Sequence, residues 1–301
     1  MKRFLLESSL FAIAIIASVF FVFLQADGKS DPFYLRTTSP KQTSLILGTS
    51  KAAQGLMPEI LNTYFKEDIY NFSFTVAHSP FGPSYLNAVK KKLEPNTKEG
   101  IFIITVDAWS ISSDGKDPNN ENQFDEAKLF LETTPSFSSN PNVPYLLNSY
   151  DDNYFKIFMN FSLMEVHDDG WLEVFPPMDS TLVETRNAEN ILEHSLKLEK
   201  FKFSETRFQY LKSTIELLKK HGNVYLVRLP VSPEMTEIEN KLIPDFDLRI
   251  NDLANTEELP YLNLSNSNSK FTFTDGIHLY KDSAKEVSAQ VGKWISEQQK
   301  Q

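Results

Sequence analysis

The chain has 301 residues, 41% of them hydrophobic and 24 of them phenylalanine, which is ample for a globular core and too apolar for wholesale disorder. A formal charge of -10 argues against a broad nucleic-acid surface, because phosphate binding needs clustered Lys and Arg. Cysteine is absent, which excludes disulfides, thiolate catalysis, cysteine-ligated zinc and lipoprotein anchoring together.

Lys2 and Arg3 precede an apolar segment, and Leu10 to Leu24 carries no charge. With Phe4 to Leu6 included, the stretch reaches the roughly 20 residues that cross a bilayer, with Glu7 placed near the interface. The flanking cations favour a cytoplasmic N-terminus, which places the remainder outside the cytoplasmic (inner) membrane. No small-x-small cleavage site precedes Asp27, so residues 1–26 read as an uncleaved single-pass anchor rather than a removed signal peptide. The polar segment 27–43, with Gly28, Pro32 and Pro40, reads as a short linker to a domain over 44–301.

"SLILG" is a short apolar run with an abrupt glycine stop, the signature of a buried strand. A helix is expected over 54–66, then the strand "DIYNFSF", then a helix over 82–94 whose lysines at 90–92 read as a solvated terminus. "GIFIITVDA" is apolar on successive residues, as in a strand buried on both faces. Between about 108 and 185 regularity breaks into prolines, Asn and Ser clusters and scattered aromatics, which reads as an inserted lid. Within it, the Asp-Gly step of "HDDGWLEV" marks a hairpin turn, with Trp171 as a core residue.

Helical periodicity returns in "AENILEHSLKLEKF" and "SETRFQYLKSTIELLKKHG", the second with Gly222 at a cap position. The strand "NVYLVRLP", a helix opened by Ser232 and Pro233, the strand "LPYLNLS" and a helix over 281–297 follow. Alternation of this kind implies an α/β fold with a mostly parallel sheet and helices on both faces. Ligands in such sheets bind beyond the carboxyl ends of the strands. That rule directs attention to Gly48–Ser50, Asn71–Thr75, Asp107–Ser110, Arg228–Pro230 and the segment after Leu264.

Ser50 admits three readings: a helix cap, part of a phosphate turn, or a nucleophile. "GTSKAAQG" lacks the second glycine and the lysine that a phosphate loop needs, and the dinucleotide pattern fails too. A nucleophile needs a base, and the chain has five histidines: His78, His167, His194, His221 and His278. Of these, His278 has a carboxylate three residues ahead in a loop, Asp275 in "DGIH", which can hold the imidazole in the tautomer that exposes its other nitrogen. Arg228, at the end of a strand, suits either a substrate carboxylate or phosphate, or a structural ion pair. Lys51 directly follows Ser50, and adjacent residues at a helix start do not face each other, so a Ser-Lys dyad is not expected.

"GTS" at 48–50 joined to "DGIH" at 275–278 resembles the SGNH/GDSL family of hydrolases and acyltransferases, over about residues 44–297. In that family the nucleophilic serine follows the first strand, and Asp and His lie three apart near the C-terminus. The resemblance implies a three-layer α/β/α fold of flavodoxin-like type with a five-stranded sheet. It also implies a catalytic set of Ser50, His278 and Asp275, and no cofactor. With the anchor, the chain is similar to the membrane-tethered branch that modifies envelope polymers, such as proteins of D-alanine transfer onto teichoic acids and of alginate acetylation. Acylated glycan substrates and a membrane acyltransferase partner follow from that branch. The pattern departs in three places. Thr49 stands where the family has Asp, no glycine follows the second strand until Gly82, and Asp107 replaces the usual Asn. The expectation is that the oxyanion is held by the Ser50 backbone and Asn71, with Asp107 and Arg228 contacting substrate.

Overall fold

The computed structural model describes residues 1–159 and 162–300. Five parallel strands form the central sheet: β1 (Leu45–Leu47), β2 (Tyr70–Asn71), β3 (Gly100–Thr105), β4 (Gly222–Arg228) and β5 (Tyr261–Asn263). Their order is β2-β1-β3-β4-β5, with Leu45 opposite both Tyr70 and Phe102 and with Gly100 opposite Gly222. This order reverses direction between β1 and β3, and the reversal opens a crevice at the carboxyl ends of those two strands.

The strands are apolar on successive residues because each face of the sheet has its own helical cover. Leu45, Leu47, Phe102, Ile104 and Leu226 point into one cluster, and Ile46, Ile101, Ile103 and Val227 point into the other. The helices, in chain order, are α1 (Lys2–Phe23), α2 (Ser50–Gly55), α3 (Pro83–Lys92), α4 (Ser180–Lys197), α5 (Glu205–Lys219), α6 (Pro233–Leu242), α7 (Phe246–Thr256) and α8 (Lys281–Gln298), besides several single turns. The first cluster takes Tyr85 and Val89 of α3, Leu211 and Ile215 of α5 and Ile250 of α7. Ala52 of α2 and Val287, Val291 and Ile295 of α8 fill the second. The result is a three-layer α/β/α fold.

Several expectations are corrected. The helix expected over 54–66 is split into Ser50–Gly55 and Pro58–Leu61, because Pro58 has no N–H to continue the ladder and the chain ahead of it is extended at Leu56 and Met57. The strand expected over 68–74 shrinks to Tyr70–Asn71. Gly222 starts β4 and does not cap α5, which ends at Lys219. Lys92 is not solvated: it is fully buried, and its ammonium donates to the carbonyls of Arg36, Ser39 and Phe137 and to the Ser39 hydroxyl.

The segment 27–43 is not a free linker either. It forms a short helix, Tyr34–Thr38, whose fully buried Arg36 donates to the carbonyls of Asn71, Gly170 and Pro32. The Tyr145 hydroxyl donates to Asp31 at 2.8 Å, and Phe33 stacks on Phe130. Tyr145 and Phe130 both belong to the insertion, whose Leu131, Phe137 and Leu146 complete the core on that side. Ahead of this segment, α1 is 22 residues long and apolar enough to cross a membrane, about 33 Å at 1.5 Å per residue.

Gly48 ends β1 with a φ of +154°, and a Cβ there would lie 1.8 Å from the Thr105 hydroxyl of β3. The close approach of β1 and β3 therefore requires glycine. Gly48→Ala is expected to lower stability by about 1–3 kcal/mol, read as a shift of the urea midpoint in full-length protein held in detergent.

Candidate active site

Ser50 is the first residue of α2, so it does not itself hold the N-cap place. The N-cap place belongs to Thr49, whose hydroxyl does not cap the helix and instead donates to Asp107 Oδ2 at 3.1 Å. The Ser50 hydroxyl is left pointing away from its own helix, and it donates to His278 Nε2 at 2.8 Å. On the other side of the ring, Nδ1–H donates to Asp275 Oδ2 at 2.7 Å. Ser50, His278 and Asp275 thus form one hydrogen-bonded line, with the two partner side chains 17% and 19% exposed. Burial raises the energy of the Asp275 carboxylate. The His278 ring and the N–H groups of His278 and Ile277 outweigh that and hold the carboxyl well below its ordinary range.

The loop that carries this pair is tightly held. Gly276 takes a φ of +81°, which lets Asp275 Oδ1 accept from both following N–H groups. Its carbonyl accepts from Ser232 N–H at 2.8 Å. From above, α4 contributes Arg186, which donates to the Thr274 carbonyl, and Asn190, which donates to the Asp275 carbonyl. Sequence reasoning missed both, since nothing in a helix with exposed polar residues marks which of them will meet a distant loop. A small apolar cluster lies alongside: Trp109, Val231 and Ile277, with Val76 and Ile191 against it.

Asp107 and Arg228 occupy different places from those expected. Asp107 is buried, and its carboxylate accepts from the N–H groups of Trp109 and Ser110 and from the Thr49 hydroxyl, with Lys51 Nζ at 3.8 Å. Two oxygens meet four donors, which explains the carboxylate: an Asn there would offer one acceptor oxygen and an NH2. Arg228 is buried between Glu239, at 3.2 Å, and Asp247, at 2.6 Å, so the structural ion pair is the reading the geometry favours and its contact with substrate is withdrawn. The other Glu239 oxygen pairs with Lys51, so a buried chain runs from Asp107 through Lys51 and Glu239 to Arg228 and ends at the half-exposed Asp247. Glu239 was legible in principle, because it stands on the apolar stripe of α6 beside Met235, Ile238 and Leu242.

Asn71 is corrected as well. Both protons of its fully buried amide go to the carbonyls of Ala52 and Leu56, and its backbone N–H goes to Asp169. It has no donor left for an oxyanion, and it pins α2 against β2. The N–H of Ser50 takes no acceptor among the described residues. The remaining histidines are engaged elsewhere. His78, beside Phe33 and Phe130, is pulled by burial to a pKa of about 4, and His194 sits edge-on to Trp109. His167 stacks on Trp171, whose Nε1 donates to the Gln54 carbonyl.

No protein-family model matches the chain. No curated protein matches it either. Among solved structures it is similar to the inhibitor-bound form of an aryl esterase from M. smegmatis, with 10% identity and a TM-score of 0.35, over 84% of this chain and 99% of that one. A likeness so distant says nothing of what this chain does.

Glu239→Ala leaves Lys51 and Arg228 buried with one carboxylate partner fewer each, and is expected to cost about 3–5 kcal/mol in urea unfolding. Lys197→Ala, which removes the outlying pair with Glu193, is expected to stay within about 0.5 kcal/mol. The depressed Asp275 carboxyl stabilises the fold above its ordinary value of 3.8, and that contribution is lost as pH falls through the lower folded value. The urea midpoint of Asp275→Asn should therefore fall less steeply than that of the parent as pH is lowered below about 4.

Proposed function

We propose that the protein is a membrane-anchored serine esterase or O-acyltransferase of the SGNH/GDSL type, acting on acyl esters of cell-envelope glycans outside the cytoplasmic membrane. The observation that carries this reading is the unbroken line from Ser50 Oγ through the His278 ring to Asp275. His278 Nε2, already accepting the serine proton, takes it as Oγ attacks the ester carbonyl. Asp275 keeps Nδ1 protonated and stabilises the imidazolium that forms. The negative charge on the former carbonyl oxygen is met by the N–H of Ser50. His278 then returns its proton to the leaving alkoxide, and water or a glycan hydroxyl resolves the acyl-serine by the reverse sequence. The place of the triad at the carboxyl ends of the strands, and an apolar helix long enough to span a membrane, support the same reading. A membrane acyltransferase that delivers the acyl group is the partner this chemistry calls for if the reaction is transfer.

A second reading, a non-catalytic binding or scaffold protein of an envelope-modification system, has two specific observations in its favour. Asn71 has no proton left for an oxyanion, and Asp107 places a carboxylate where the resembled family has an amide. The absence of one such donor typically costs about 100- to 1000-fold in turnover.

A fluorophosphonate probe separates the two. In full-length protein the catalytic reading predicts a single adduct on Ser50, absent from Ser50→Ala and His278→Ala. It also predicts that kcat on a short-chain aryl ester falls by at least about 10^4-fold in either variant. A folded protein that takes no adduct would establish the scaffold reading.

A further inference from the structure

After Leu24, seven of the twelve exposed large apolar side chains among the described residues fall between positions 147 and 175. They are not scattered. Phe155, Phe158 and Met159 lie on or just after a single 3-10 turn, Tyr154–Phe158, and Phe155 is 72% exposed. Leu163 and Phe175 lie side by side at the open end of the hairpin Met164–Val166/Leu172–Val174, where the Phe175 N–H donates to the Leu163 carbonyl.

Both pieces are fastened to the foot of α1. Tyr154 packs its ring edge-on against Phe23, the last residue of that helix, at 5.2 Å between centroids. The hairpin's Val166 N–H donates to the carbonyl of Gly28, four residues after Leu24. We infer that this surface is a second membrane contact: Phe155, Phe158, Met159, Leu163 and Phe175 lie in the bilayer interface around the anchor and hold the globular part against the membrane. The inference rests on reading α1 as a membrane span.

Phe23 and Leu24 are where the chain leaves the hydrocarbon, so a ring in contact with Phe23 lies at the headgroup level. That layer is about 5–8 Å thick on each side. A 3-10 turn of five residues is roughly 10 Å long, so it fits the layer when it lies in the plane of the membrane. Tyr154 is the amphipathic kind of ring that settles there, and Phe and Leu supply the apolar face that such a surface buries at the headgroup boundary. The bilayer, rather than a partner protein, is the occupant because the patch is continuous with the anchor's own apolar surface. The contact is apolar rather than electrostatic: the chain is acidic overall, and Lys156 within the turn is paired with Asp152. It therefore should not depend on anionic lipid or weaken with salt.

Docking of this kind would also constrain the triad. Trp171, at the turn end of the same hairpin, donates to the Gln54 carbonyl in α2, the helix that begins with Ser50. The interfacial surface and the serine are then two ends of one rigid connection.

The chain has no cysteine, so single-cysteine variants of the full-length protein can each carry one environment-sensitive fluorophore. Phe158→Cys and Leu163→Cys test the patch, Ile13→Cys tests the anchor, and Leu248→Cys reports an exposed apolar site on α7. In phosphatidylcholine vesicles, labels at 158 and 163 should emit at shorter wavelength than at 248. They should be quenched more by a spin label near the headgroup than by one deep in the acyl chain. Ile13 should show the opposite depth preference. Lipid-embedded Ile13 with water-like emission at 158 and 163 would overturn the patch alone, while water-like Ile13 would overturn the anchor and the patch with it. Quenching at 158 between labelled copies, with no effect of spin-labelled lipid, would replace the bilayer by a second chain and so refute the inference. None of these readouts depends on catalysis.

Discussion

The site depends on how the two neighbours of Ser50 are tied down. Thr49 is bonded to Asp107 after β3, and Lys51 is drawn between Asp107 and Glu239 of α6. Both ties span the crevice where the strand order reverses, which is the one place where the ends of β1 and β3 lie adjacent with helices leaving on opposite sides. With its neighbours held by buried polar partners, Ser50 has little freedom other than to present its hydroxyl to His278. Buried ion pairs are expensive in desolvation and often contribute little net stability. Their use here suits a positioning task, for which geometry matters more than strength.

The opposite half of the site is held in a different way. The Asp275–His278 loop is fixed by its own turn, by Ser232 and by two side chains of α4, all through backbone carbonyls or N–H groups. These bonds fix the backbone of the loop and occupy Asp275 Oδ1, which leaves Oδ2 for the imidazole.

What could be read in the chain follows from the same physics. β1, β3 and β4 were legible because a strand covered on both faces has no polar side to confuse its pattern. The serine turn and the Asp-x-x-His loop stood out through local chemistry at short spacing. Features set by tertiary contacts did not. Lys92 reads in sequence as part of a solvated lysine run, because the carbonyls of Arg36, Ser39 and Phe137 that converge on its ammonium come from distant segments. Asp107 stands out in sequence only as a departure from the resembled pattern, because its partners Thr49 and Lys51 come from a distant segment. The helix Phe246–Thr256 went unseen because Asp and Asn weaken its propensity, and its packing through Phe246, Ile250 and Leu253 outweighs that. Asn71 shows the limit most plainly, since a buried amide's partners are invisible in sequence.

The proposed chemistry requires that Ser50 be acylated. Rapid acid quenching of the full-length protein during turnover of a short-chain ester, followed by intact mass and peptide mapping, measures this directly. The account predicts one acyl group, carried by the peptide that contains Ser50 and absent when His278 is replaced. Ester consumption without any acyl group on Ser50, or with the acyl group on another residue, would contradict it.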